Sequence, residues 1–429
     1  MALLLFGVLF LGVSDTQLVA PLLPLIARDF QITPGHAGMI VTTYSFAAAI
    51  FALVIGPVSD RLGRKKVLTF GLLLFGVAAV LTFYISSFNS LLIVRMLTGL
   101  SAGTLSTCSL SYAADHYAYS ERGRAMGVLS MAYFAAFVFG VPAGAFAAAR
   151  FGWQSVFAGF ALAAGAVFIL VLTLLPADTA RSVSPYSLNS LASHFFKTDR
   201  SAGIVAAFLT SGGIVGFLTY VGAWLTNDHG IGVERVGFIF VASGAAAIVA
   251  SPLSGWLADY AGKRAVIVWA NLGLSILFVI VARLEWGALL IAAIAALSIA
   301  ASARQAPLHA LTTELVGPEI RGEYIAVRNA ASQLGIGLVA FASAWAFDKG
   351  GFIMVSYLAA VITLLIPLSC LGLREPPVYP VNHAGQSHPT VHGSRTTLQE
   401  GHDRPGKDRG PGRDDGGHAE AQRDGKASG

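Results

Sequence analysis

The sequence predicts an all-α membrane protein: twelve transmembrane helices in two pseudo-symmetric six-helix bundles. Three observations carry that reading. Hydrophobic residue types make up 55% of the 429 residues and charged types only 12%, against about 25% charged in an ordinary soluble domain. About twelve apolar runs are each long enough to cross a bilayer, whose hydrocarbon core takes roughly 20 residues of helix. The sequences of four loops recur at one constant offset, 199 residues.

The runs, in order, fall at about 2–26, 36–59, 66–85, 90–114, 124–149, 154–175, 201–226, 235–258, 264–283, 286–309, 323–346 and 352–373. They are apolar on every face and rich in Gly, as lipid-exposed helices that approach one another closely must be. They do not alternate as strands of a membrane barrel would. The first run, MALLLFGVLFLGV, lacks a basic leader and continues past Asp15, so it reads as a retained span. It starts abruptly, which leaves an upstream start as an open alternative.

The polar Ser-rich stretch 176–200 splits the runs six and six and is expected to link the halves. The domain plan is therefore 1–175, a linker 176–200, 201–373, and a tail 374–429. That tail carries 16 of the 51 charged residues and almost nothing apolar, so it is expected to be disordered. Lys and Arg in the short loops favour one side twelve to five. The bias places both termini in the cytoplasm and the chain in the cell (inner) membrane.

This arithmetic excludes a secreted disulfide scaffold, a soluble enzyme and a nucleic-acid-binding protein. Cys108 and Cys370 stand apart in apolar runs, with neither disulfide nor metal-site spacing. No GxxxxGK[ST] loop is present, which disfavours ATP drive encoded in this chain.

The repeat aligns Gly56-Pro-Val-Ser-Asp60-Arg-Leu-Gly63-Arg64-Lys65 with Gly255-Trp-Leu-Ala-Asp259-Tyr-Ala-Gly262-Lys263-Arg264. At the same offset Asp115 matches Glu314, Arg122-Gly123 matches Arg321-Gly322, and Gly152-Trp153 matches Gly351-Phe352. Parallel repeats of this kind occur in carriers that work by alternating access. The segment from Gly56 resembles the loop 2–3 motif (motif A) of the major facilitator superfamily, and the segment from Gly255 resembles its second-half copy. Arg95-Met-Leu-Thr-Gly99 is similar to the family's motif B, with Thr98 where the family often has Gln. Gly140-Val-Pro142-Ala-Gly144 is similar to the antiporter motif of the fifth span, with Val141 interposed, a form most like bacterial sugar- and drug-efflux members. The resemblance covers about residues 1–373 and implies export of a small molecule.

The residues bear their own reading. Gly56 lets another helix approach the second span. Asp60, Arg64 and Asp115, and the repeated set Asp259, Lys263 and Glu314, are acid–base–acid triplets expected to act as a cytoplasmic gate; positive-inside anchoring alone is the plainer alternative. Ionisable groups inside a membrane are costly and are functional candidates by default. Asp15 is the only acid deep in an apolar run, and with Arg95 it is the leading proton-coupling pair. Burial disfavours a carboxylate while a nearby guanidinium favours it, so an acid held between the two can exchange a proton. Arg328 is a further intramembrane base. Gln17, Tyr44, Tyr112, Tyr220, Arg304, Gln305, Asn329 and Gln333 are candidate lining of a central substrate cavity. Pro142 should bend the fifth span, with Gly140 and Gly144 making it a moving part. Trp153 and Trp224 read as interface anchors.

The expected function is secondary export of a small molecule by alternating access, in exchange for protons. A proton symporter or uniporter importing a nutrient, and a non-transporting membrane sensor, are the alternatives. The expected partners are the substrate, protons and the bilayer, with the chain acting as a monomer. No enzyme activity, cofactor, metal or nucleic acid is expected.

Overall fold

The structure, a computed structural model, describes residues 1–177, 198–314, 316 and 321–370. Most of the expected linker and the whole expected tail lie outside those residues. The described residues are helical, with no strand among them. The helices are α1 (Ala2–Asp29), the short α2 (Pro34–Ala37), α3 (Met39–Leu62), α4 (Arg64–Leu81), α5 (Phe88–His116), α6 (Tyr119–Ala135) and α7 (Val141–Phe151). Then come α8 (Gln154–Leu174), α9 (Thr198–Asn227), α10 (Val233–Ala261), α11 (Lys263–Val281), α12 (Ala288–Ala303), α13 (Gln305–Glu314) and α14 (Arg321–Cys370).

Eleven continuous helical stretches are long and apolar enough to cross a membrane. The last needs division. At 1.5 Å per residue the 50 residues of α14 would extend about 75 Å, more than twice a hydrocarbon core. Gly350 and Gly351 break it with non-helical backbone, Gly351 at φ +66°. Its two arms are separate spans, which restores the expected twelve and the all-α plan of two six-helix bundles.

The constant offset has a backbone cause. Gly63 (φ +95°) and Gly262 (φ +89°) stand 199 residues apart, each between the second and third span of its bundle. Gly152 (φ +82°) and Gly351 (φ +66°) are likewise 199 apart, at the turn between the fifth and sixth spans. Side-chain-bearing residues rarely adopt these angles, so each tight turn requires Gly. The two bundles thus share turn geometry as well as sequence.

Packing within a bundle depends on backbone approach. A Cβ on Gly99 of α5 would overlap the Tyr44 carbonyl of α3. In the second bundle a Cβ on Gly335 of α14 would overlap the Phe208 carbonyl of α9. The fifth span is composite: α6 passes through a π-helical turn, Ala136–Gly140, into α7, with Pro142 in its first turn. A wider turn there frees the backbone carbonyls that a proline ring would otherwise strike, which places the expected bend.

The bundles meet tightly at one end, marked by Asp348. There Asp348 Oδ2 accepts from the Thr33 hydroxyl at 3.0 Å and Oδ1 from the Gly35 amide at 3.2 Å. The Tyr220 hydroxyl donates to the Gly35 carbonyl at 3.4 Å. Gly222 of α9 lies against the Ala20 carbonyl of α1 so closely that any side chain there would overlap it. Arg150 and Glu234 approach at 3.6 Å across α7 and α10, and Phe137 stacks on Phe240. Among the described residues, every hydrogen bond and ion pair between the bundles falls at this end.

Trp153 and Trp224 are each only 4% exposed, contrary to the expectation of interface anchors. The Trp153 indole donates to Asp29 Oδ2 at 3.0 Å, and Trp224 stacks on Phe352. Both side chains are used for packing at the Asp348 end, where burying a large ring outweighs exposing it to the headgroup region.

Candidate functional site

Asp15 and Arg95 meet in the middle of the first bundle. Arg95 Nη1 lies 2.9 Å from Oδ1 and 3.0 Å from Oδ2 of Asp15, and both residues are 2% exposed. The guanidinium also sits over the Tyr44 ring, 5.0 Å from its centroid. The close α3–α5 approach at Gly99 puts that ring within reach. The Thr16 hydroxyl reaches the Tyr44 oxygen at 2.7 Å, joining α1 to α3. Thr16 was not singled out in the sequence, because a Thr in an apolar run has no distinguishing signal.

The pair is under-satisfied. Arg95 Nε and Nη2 are buried with no hydrogen-bond partner, and so is the hydroxyl of Ser14, next to Asp15. A buried ion pair is held well only when its remaining donors are also satisfied. Two unused donors mean that another acceptor can compete for Arg95 without leaving more donors unmet.

The Asp60 triplet is assembled. Arg64 Nη2 lies 2.9 Å from Asp60 Oδ1, and Nε 2.7 Å from Asp115 Oδ2, with the three side chains 14–20% exposed. They belong to α3, α4 and α5, so the triplet ties one bundle together and does not itself bridge the two. Beside it, Lys65 Nζ reaches the Leu172 and Leu175 carbonyls at the end of α8. A cation there complements the helix C-terminus. In the second copy Asp259 is exposed and makes no ion pair among the described residues, and the Glu314 side chain lies outside them. Lys263 is half-buried.

The expected cavity residues separate. Gln17, Asn329 and Gln333 are half-buried on spans, and Gln305 is exposed. Tyr112 is fully buried. It stacks on His116 and donates to the Pro176 carbonyl at 2.8 Å, a strut at the Asp60 end. Tyr220, also fully buried, is part of the Asp348-end seal. Arg304 is enclosed rather than cavity-facing: Nη1 donates to Asn271 Oδ1 at 2.8 Å and Nη2 to the Thr210 carbonyl at 3.0 Å.

The glycines divide as well. Gly140 and Gly144 lie against Ser14 and Leu18 of α1, with no room for a Cβ. Gly56 was expected to admit a neighbouring helix, yet nothing stands within 4 Å of where its Cβ would be. The second span turns that face to open space in this conformation.

A chain with two repeated bundles, sealed at one end and carrying a buried acid–base pair midway along its apolar spans, is a polytopic membrane protein of the secondary-carrier type. The sequence profile of the Major Facilitator Superfamily matches residues 5–232 and again residues 203–405. The chain belongs to that superfamily. It is 29% identical to the MFS-type transporter YceJ of Bacillus subtilis over 54% of this chain and 60% of that one. It is 27% identical to the multidrug resistance protein MdtM of Escherichia coli O157:H7 over 46% of this chain and 47% of that one. The chain therefore spans about half to 60% of the length of these curated relatives. Among solved structures it resembles the D-xylose-proton symporter, with a TM-score of 0.72 at 18% identity, covering 87% of this chain and 97% of that one. At that identity the likeness concerns the fold.

Proposed function

We propose that this transporter exports a small molecule by alternating access in exchange for protons. The observation that carries the reading is the Asp15–Arg95 pair: buried in the middle of its bundle, and with spare donors. With Asp15 ionised, its carboxylate holds Arg95 through Nη1 and leaves Nε and Nη2 for a substrate acceptor. When Asp15 takes up a proton the charge attraction to Arg95 is lost, the guanidinium is no longer held in that place, and the substrate is released. Proton and substrate then exclude one another, as exchange requires. The similarity to MdtM supports export over import.

The remaining parts follow from that reading. Residues 1–175 and 201–373 are the two moving bodies, 176–200 their linker and 374–429 an appended tail. With the Asp60 end in the cytoplasm of a bacterial inner membrane, the sealed Asp348 end faces outward and the described state is inward-facing. Asp60, Arg64 and Asp115, with Asp259, Lys263 and Glu314, act as the cytoplasmic gate when the bundles rock together. Gln17, Tyr44, Gln305, Asn329 and Gln333 face the substrate path, and the protein works as a monomer.

The test is transport in vesicles with an imposed pH gradient. Acid on the side opposite the substrate should drive its uphill movement toward that acid. Acid-driven movement of substrate together with protons would instead establish a symporter.

A further inference from the structure

The charges of the second bundle are not balanced as those of the first are. In the first, the buried guanidinium has its carboxylate. In the second, two guanidiniums are buried: Arg304 at 0% and Arg328 at 5% exposure. Neither is paired with an acid among the described residues. The acids from α9 onward whose side chains are described, Asp228, Glu234, Asp259, Glu285 and Asp348, all stand at or beyond the ends of spans. Arg304 has two neutral acceptors, the Asn271 amide and the Thr210 carbonyl. Arg328 Nη2 donates to His309 Nε2 at 3.0 Å, another neutral acceptor. The Nε of each guanidinium is buried and unpartnered. Two cations removed from water, with no counter-charge among the described residues, are costly unless something else brings the negative charge.

The surroundings of Arg328 indicate where that charge would sit. His309 lies on α13, inside the span Ala288–Thr312, and is exposed. Gln305, one turn earlier, is exposed too. Residues four apart share a helix face, so this stretch of the span presents a polar face. Arg328 of α14 is held against it through His309.

We infer that this face, formed by Arg328, His309 and Gln305 with Arg304 behind it, binds the carboxylate of a small organic acid, and that the transported substrates are organic anions. Arg328 Nε supplies the free donor, His309 and Gln305 are the accessible polar contacts, and Arg304 adds positive potential from within the bundle. A guanidinium matches a planar carboxylate in charge and geometry. The inference rests on the reading of the protein as a small-molecule carrier and is independent of proton coupling.

Binding to the purified full chain in detergent, with no pH gradient, tests it. The probes are acetate, benzoate and phenylacetate, each against its neutral amide, read by the shift in thermal unfolding. At least one carboxylate should raise the unfolding temperature saturably while its amide does not. Arg328→Gln should weaken that binding about tenfold or more, since hydrogen bonds to charged groups contribute on the order of 1.5–3 kcal/mol. Arg328→Lys, which keeps the charge, should retain more of it and serves should the Gln variant fail to fold. Equal stabilisation by amide and acid, by sodium sulfate at matched ionic strength, or by none of the carboxylates would overturn the proposal, as would undiminished binding in a folded Arg328→Gln protein. Loss of proton-driven transport with carboxylate binding intact would count against the coupling scheme and leave this site standing.

Discussion

One nitrogen of Arg95 holds both oxygens of Asp15, at 2.9 and 3.0 Å, while the other two nitrogens of the same guanidinium have no partner. A fork-to-fork pair would use two nitrogens and leave less to spare. The single-nitrogen grip fits a pair that must open during a cycle.

Asp15→Asn keeps the size of the side chain and removes its charge. Uphill, proton-driven transport should be lost at normal protein abundance, while exchange of substrate down its own gradient persists. Counterflow and pH-jump assays in the same vesicles separate the two, and wild-type uphill rates in the variant would remove Asp15 from the coupling step.

Arg95→Met should lower stability by about 3–5 kcal/mol, because it leaves Asp15 as an uncompensated buried charge. The double variant Asp15→Leu/Arg95→Met should recover most of that loss. Thermal unfolding in detergent reads both, and a double variant no more stable than the single one would show that packing, not charge, sets the cost.

The seal at the other end has a testable hinge in Asp348, which receives both the Thr33 hydroxyl and the Gly35 amide. Asp348→Ala should raise labelling of a cysteine placed at Gln17 by a membrane-impermeant reagent added from the Asp348 side. Gly222→Val should act in the same direction more strongly, since its side chain cannot coexist with the Ala20 carbonyl. Gly99→Val, a clash within one bundle, should instead lower thermal stability without opening that side.

Asp60→Ala breaks one arm of a partly exposed network. Such pairs contribute about 1 kcal/mol or less, enough to shift two near-equal states by roughly fivefold. The triplet is assembled within one bundle while the Asp348 end is sealed; as a gate it favours the state in which the Asp60 end is closed, so the expected outcome is slower exchange between states, with increased access to the Gln17 cysteine from the Asp60 side. Identical labelling in Asp60→Ala, Asp259→Ala and the parent would dismiss the gate.

Much of this was legible in the residues. Spans are set by the length of apolar runs, and the repeat by an offset that survives in turns where only Gly fits; the φ values of Gly63 and Gly262 explain why that offset could be read at all. The Asp15–Arg95 pairing was legible because a bilayer tolerates so few charges that the candidates nearly name each other. The packing roles of Tyr112 and Tyr220 were not legible, because a Tyr hydroxyl finds a carbonyl wherever packing offers one. Asp348 and His309 gave no signal: an acid or a His at the very end of an apolar run reads as a boundary.

The sequence alone determined the class of protein, the number of spans and their repetition, because hydrophobic length and turn conformation are local properties of the chain. Which end is sealed, which guanidinium has a carboxylate and which lacks one, and whether Gly56 faces a neighbour or open space were decided only by the tertiary structure. Those facts depend on how helices distant in the chain are rotated and spaced against one another. A rotation of one helix by a third of a turn exchanges its buried and open faces without changing a residue.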